Sequence, residues 1–125
     1  MSVLYNNEEL QEALKEWQHI LKLDAWDIRA KICRADEMTL EDAQGENNWV
    51  LESRKSVIHI IDPLDYPRNT MFAQDMEQTL VHELLHLHFA PFEPDGEGLA
   101  SCMMEQTIEL LAGILVGQQR TNKID

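Results

Sequence analysis

Three observations predict an α+β fold. Apolar residues recur at helical spacing near the start of the chain, β-rich runs with two-residue alternation occupy its middle, and two long helical patterns fill its second half. With 125 residues and 44% hydrophobic content, the chain is long enough for one core and too short for two, so 1-125 reads as a single domain.

Leu10, Leu14, Trp17 and Leu21 are spaced as one helical stripe. Asn6 or Asn7 precedes them as a cap, with Glu8 and Glu9 in the first turn, where a helix favours acid. Trp17 is assigned to the core. Trp26, Ile28, Ala30 and Ile32 then alternate with Asp27, Arg29 and Lys31, the period of a half-buried strand. Residues 34–48 are acidic and irregular and are expected to form a surface loop holding at most one poor strand. Trp49-Val50-Leu51 and Val57-Ile58-His59-Ile60-Ile61 flank a polar stretch suited to a reversal, so a hairpin is expected there. Asp62-Pro63-Leu64-Asp65-Tyr66-Pro67 breaks regular structure and is placed as one wall of a cleft, with Tyr66, Arg68 and His59 as the nearest substrate-contact candidates beside structural roles for each.

Within 72–89, Met76, Leu80, Val81, Leu84, Leu85 and Leu87 form a broad apolar stripe. His82-Glu83-Leu84-Leu85-His86 lies inside that helix, and its two histidines fall off the stripe, on a face shared with Asp75, Thr79 and Phe89. Residues four apart stand one turn apart on one helical face, so both imidazoles can reach a single metal ion while Glu83 is displaced around the helix toward the metal's water. His88 lies on the opposite side and is read as a hydrogen-bonded core or helix-end residue. After a turn rich in proline and glycine, a second long helix runs from 99 to about 119 with Met104, Ile108, Leu111 and Leu115 as its apolar seam. Glu105 and Glu109 share an adjacent face. That suits one carboxylate as ligand and the other as an outer partner orienting a histidine through its second ring N–H.

His82-Glu83-Leu84-Leu85-His86 followed by Glu105-Gln106-Thr107-Ile108-Glu109 resembles the gluzincin branch of the zincin metallopeptidases. In size the chain is similar to the single-domain minigluzincins and to small metallopeptidase-like proteins of phages and mobile elements. The resemblance implies a half-zincin fold: an N-terminal backing helix, a small, mostly antiparallel sheet whose edge strand can line up an extended substrate, an active-site helix and a C-terminal glutamate helix. It further implies one Zn2+ per chain held by His82, His86 and Glu105, with Glu109 as outer partner. Glu83 is then the general base toward a zinc-bound water, in a zinc-dependent hydrolase of peptide or protein substrates. Two other readings stay open. In one, zinc merely pins two helices in a non-catalytic interaction or regulatory module, which a fourth ligand such as Cys102 would favour. In the other, Glu83-Leu84-Leu85-His86 belongs to a di-iron carboxylate site, for which a second such motif is missing.

Ten basic against 23 acidic residues give a formal charge of −13, which repels phosphate-rich partners; neither nucleic acid nor a membrane surface is expected as partner. The histidine-rich basic groove of a small metal-dependent endoribonuclease is not seen either. No stretch approaches the roughly 18 apolar residues of a membrane span, and Met1 to Gln11 lacks the basic-then-apolar order of a signal peptide, so a cytoplasmic protein is expected. Cys33 and Cys102 lack paired metal spacing and are read as reduced thiols.

Overall fold

The computed structural model describes residues 2–68 and 70–124; Met1 and Asp125, the ends of the expected domain, lie outside the described residues, as does Asn69. Among the described residues the architecture is α+β: three helices and a small three-stranded sheet.

α1 (Asn7–Ile20) starts at an Asn6 cap whose side chain accepts the Glu9 N–H at 2.8 Å, while the Glu9 carboxylate accepts the Asn6 N–H at 2.9 Å. Two otherwise unpaired donors are satisfied reciprocally, which makes the helix begin where the sequence says. It buries Leu10, Leu14 and Trp17. β1 (Asp27–Cys33), β2 (Gly45–Val50) and β3 (Lys55–Ile61) follow, then α2 (Met76–Phe89) and α3 (Leu99–Ile124). Single 3-10 turns cover 35–37, 63–65 and 90–92.

The strand order is β1-β3-β2, with β2 antiparallel and β1 parallel to β3. The sheet is therefore mixed, which corrects the mostly antiparallel expectation. The reason lies in which strand is most apolar. Ile58 and Ile60 are wholly buried and Ile61 nearly so, and such a strand gains most from the centre, where both edges of its backbone are paired and its inward face is covered. The connection through 34–44 is long enough to carry the chain from β1 to the far edge, leaving β1 to pair β3 in parallel. β2 also begins earlier than expected, inside the stretch assigned to a loop.

α1 packs on β1, α2 on β2 and β3, and α3 on α2. The opposite sheet face carries Arg29, Lys31 and a half-exposed Val57. One residue of that outer face is an exception. Glu46 is 4% exposed, and its carboxylate accepts the N–H groups of Thr39 and Leu40, both at 2.9 Å, and faces His59 Nδ1 at 2.9 Å. Burial works against its ionisation, but the two N–H donors and the imidazole outweigh it and hold its pKa below the usual carboxylate range. A folded-state pKa below the unfolded one gives stability that is complete above the unfolded value, near 4.3, and is lost as pH falls through the folded value. Glu46→Gln is expected to destabilise by about 1–3 kcal/mol at neutral pH. Its urea midpoint should also fall less than wild type between pH 5 and pH 3. Equal acid sensitivity of the two proteins would show that folding leaves the Glu46 pKa at its unfolded value.

Trp17, Glu77, Arg120 and Asp75 form a connected polar network across all three helices. Trp17 Nε1 donates to Glu77 at 2.9 Å, Arg120 Nε donates to the other Glu77 oxygen at 2.9 Å, and an Arg120 terminal nitrogen meets both Asp75 oxygens at 2.9 and 3.0 Å. Asp75 is at once the cap of α2. By length and composition α3 is apolar enough to cross a membrane, against the sequence expectation: an 18-residue window of 99–123 has mean hydropathy 1.4, and 17% of it is buried.

Candidate metal centre

The cap that Asp75 supplies to Glu77 and Gln78 at 3.2 Å sets the phase of α2. From that start Leu80, Val81, Leu84, Leu85 and Leu87 turn into the core, and His82 and His86 turn toward α3. Their side chains keep 16% and 11% exposure, and their ring centroids lie 5.2 Å apart. α3 is held against this face by its own stripe of Ile108, Ala112 and Val116, with Met104, Leu111 and Leu115 at the margins of the core. The expected seam is thus rotated: Ala112 and Val116, not Leu111 and Leu115, lie deepest. Small residues at those positions let the two helices approach closely.

That approach delivers Glu105. Its carboxylate lies 3.1 Å from His82 Nε2 and 2.9 Å from His86 Nε2. The ligand atoms of His82, His86 and Glu105 all lie within 4.8 Å of one another, a group able to hold a metal ion. Donors around a tetrahedral ion at about 2.0 Å stand about 3.3 Å apart, so little movement separates this arrangement from a ligand set. Glu109, one turn further along α3, faces His82 Nδ1 at 3.4 Å and accepts from Gln78 Nε2 at 3.0 Å. Both ring nitrogens of His82 therefore face a carboxylate oxygen. A carboxylate on Nδ1–H fixes the tautomer that turns the Nε2 lone pair outward. Cys102 is exposed and does not join the group; Cys33 is buried, and both are free thiols.

Glu83 is 8% exposed and lies beside this group. Burial pushes its carboxyl up to about 7, with the neighbouring carboxylates of Glu105, Glu46 and Glu109 adding to the shift and His82 opposing it. A bound cation would draw that value down again. Burial likewise lowers the pKa of His86, against the pull of Glu105.

β2 forms the facing wall, and here the structure adds residues that spacing alone did not single out. Trp49 stacks on the His86 ring with centroids 5.8 Å apart and planes at 24°. Asn47 Nδ2 donates to the Glu83 carbonyl at 2.8 Å, and Ser56 Oγ donates to Asn47 Oδ1 at 2.6 Å. Gly45, two residues before Asn47, permits the close approach, since a Cβ there would stand 2.5 Å from the Thr79 methyl and 3.4 Å from Glu83 Oε2. Gly45, Asn47 and Trp49 alternate along one strand face, a signal present in the sequence but indistinguishable there from loop. Gln78 was findable, because it lies one turn before His82.

The walls enclose a cleft of about 560 Å³ reached by His82, Glu83, His86, Glu105 and Glu109, with Thr39 and Leu40 at its rim. His59, Tyr66 and Arg68 lie outside its lining. His59 is turned to Glu46, and Tyr66 Oη donates to the Phe72 carbonyl at 2.9 Å. His88 Nε2–H donates to the Leu21 carbonyl at 2.6 Å, the helix-end alternative of the two expected for it, and the residue is exposed, not part of the core. Compared with known proteins, the chain matches no protein family, no curated protein and no solved structure.

Proposed function

We propose that the protein is a zinc-dependent hydrolase, a single-domain metallopeptidase of gluzincin type on a half-zincin fold, with peptide or protein as substrate. The observation that carries the reading is the convergence of His82 Nε2, His86 Nε2 and the Glu105 carboxylate beside a buried Glu83 in one cleft. Two imidazole nitrogens and one carboxylate oxygen fit zinc, which is borderline in softness and in catalytic sites takes three protein ligands. His82, His86 and Glu105 would hold the ion, and Glu109 would orient His82 through Nδ1. When bound, zinc supplies Lewis acidity to a water and to a scissile carbonyl.

The chain's own part is proton handling and positioning. Glu83 accepts a proton from the attacking water as its oxygen bonds to the carbonyl carbon, and returns that proton to the amide nitrogen as the C–N bond breaks. A buried carboxyl that lines the cleft beside the three ligand candidates is positioned for both halves of that transfer. Asn47 fixes the backbone of Glu83, and Trp49 limits the rotation of His86. β2 is a sheet edge, so its outer backbone groups are placed to pair with an extended peptide.

The test joins metal content to peptide cleavage. Protein purified without chelator should contain one zinc per chain and cleave members of an unstructured peptide library read by mass spectrometry. Glu83→Gln should keep the zinc while cleavage falls by about 10²-fold or more. Zinc retained with no cleavage in either protein would favour the rival reading, in which the ion only pins α2 to α3. Cleavage that survives Glu83→Gln would remove Glu83 as the base.

A further inference from the structure

α3 has a second apolar face, opposite the one that packs on α2. Leu99, Met103, Leu110 and Ile114 are 77%, 47%, 60% and 56% exposed. Met103, Thr107, Leu110, Ile114, Gly117 and Thr121 follow one another at spacings of four and three residues, all exposed and none charged. At 100° per residue they form one straight stripe, and a repeat averaging 3.5 residues is that of a helix packed along another helix.

We infer that this stripe is the interface of a two-fold dimer, in which α3 of one chain packs antiparallel against α3 of a second copy. Three observations select that occupant. The first is self-complementarity. The spacing of the stripe reads the same from either end about position 112, so an antiparallel pair sets Leu110 against the partner's Ile114, Thr107 against Gly117 and Met103 against Thr121. Larger side chains then meet smaller ones in the outer layers, as an isologous interface requires.

The second is the glycine at 117. A Cβ there would meet nothing within 4 Å, so the isolated chain has no steric need for glycine at a position where alanine would strengthen the helix. Close approach of another backbone supplies that need. The third is area. Met103, Leu110 and Ile114 present roughly 350 Å² per chain, so a symmetric pair hides about 700 Å² from them, and the threonine, glycine and glutamine surface along the stripe extends it toward the lower end of specific interfaces. A monomer rarely leaves so long an apolar patch bare.

Glu105 and Glu109 lie about a quarter turn or more away from the stripe, so pairing leaves the cleft accessible. The charge of −13 per chain opposes association, and salt should relieve that opposition.

Sedimentation velocity of the full chain under reducing conditions, from micromolar to millimolar concentration, should show a monomer–dimer equilibrium that tightens as salt rises. Leu110→Glu and Ile114→Lys should each weaken the dimer at least about 100-fold, with helix content and melting temperature kept, because both positions are exposed. Mixing the two variants should restore a heterodimer, since position 110 of one chain then meets 114 of the other with opposite charge. Leu64→Glu, at an exposed apolar position away from α3, should dimerise as wild type does. A wild-type chain that stays monomeric throughout overturns the proposal, as does a dimer indifferent to Leu110→Glu. Failure of the mixed variants to pair excludes the antiparallel register. A monomer that binds vesicles of neutral lipid and loses them on Leu110→Glu assigns the stripe to a membrane instead. These outcomes are read without peptidase activity and leave the zinc reading untouched.

Discussion

Alanine at His82 or His86 is expected to lower zinc affinity by several orders of magnitude, because each change deletes one of three ligands and the remaining pair cannot close a stable site. The more discriminating result comes from α3. Glu105→Ala should follow the histidine variants, since the Glu105 carboxylate is the group within 3.1 Å of both Nε2 atoms. Glu109→Ala should cost about 10- to 100-fold, the usual effect of losing the carboxylate behind a metal-bound imidazole. Cys102→Ser should change little, as the thiol is exposed and apart from the group. Competition with a chromophoric chelator orders the variants directly. If zinc content is unaltered by both histidine changes, there is no site here of the kind proposed; loss caused by Cys102→Ser alone would point to a closed thiolate site with a structural role.

The second large effect concerns stability. Arg120→Ala should destabilise the fold by about 3 kcal/mol, because it strands Glu77, whose side chain is 9% exposed, and Asp75 without their cation. For a chain of this length that is a fall in melting temperature on the order of 10 °C. Arg120→Lys should rescue little, since one ammonium cannot reproduce the separate contacts that Nε makes to Glu77 and a terminal nitrogen makes to Asp75. The double change Glu77→Leu with Arg120→Met removes the more deeply buried charge together with its partner and should recover part of the loss, although Asp75 still lacks its cation and Trp17 Nε1 gives up its acceptor. Calorimetry of the three variants decides it. Equal stability of Arg120→Ala and wild type would mean that water compensates Glu77 fully. Because the same arginine ties α3 to the start of α2, zinc affinity should weaken in Arg120→Ala even though no ligand is touched.

Local chemistry was readable wherever one element carried it whole. The Asn6 cap, the stripe of α1, the alternation of β1, the hairpin into β3 and the displacement of His82 and His86 from the apolar stripe of α2 each depend on residues a turn or a strand apart. The spacing of such neighbours is set by backbone geometry before any tertiary contact forms. Relations between elements were another matter. Ile58 and Ile60 announced a buried strand, but nothing local said that β3 would lie between the other two, and hence that β1 would run parallel to it. Glu46 and Glu77 looked like two more acids in an acidic chain. Only the loop at 39–40 in one case, and Trp17 with Arg120 in the other, made them buried and paired. Trp49 was an apolar strand residue until the fold laid it on His86, and Glu105 was one of two adjacent carboxylates until the packing of Ile108, Ala112 and Val116 set it between two imidazoles. Periodicity thus determines which faces of a segment are apolar, whereas the choice of what each face meets follows from shape, partner and solvent exclusion across distant parts of the chain, and those exist only once the chain has folded.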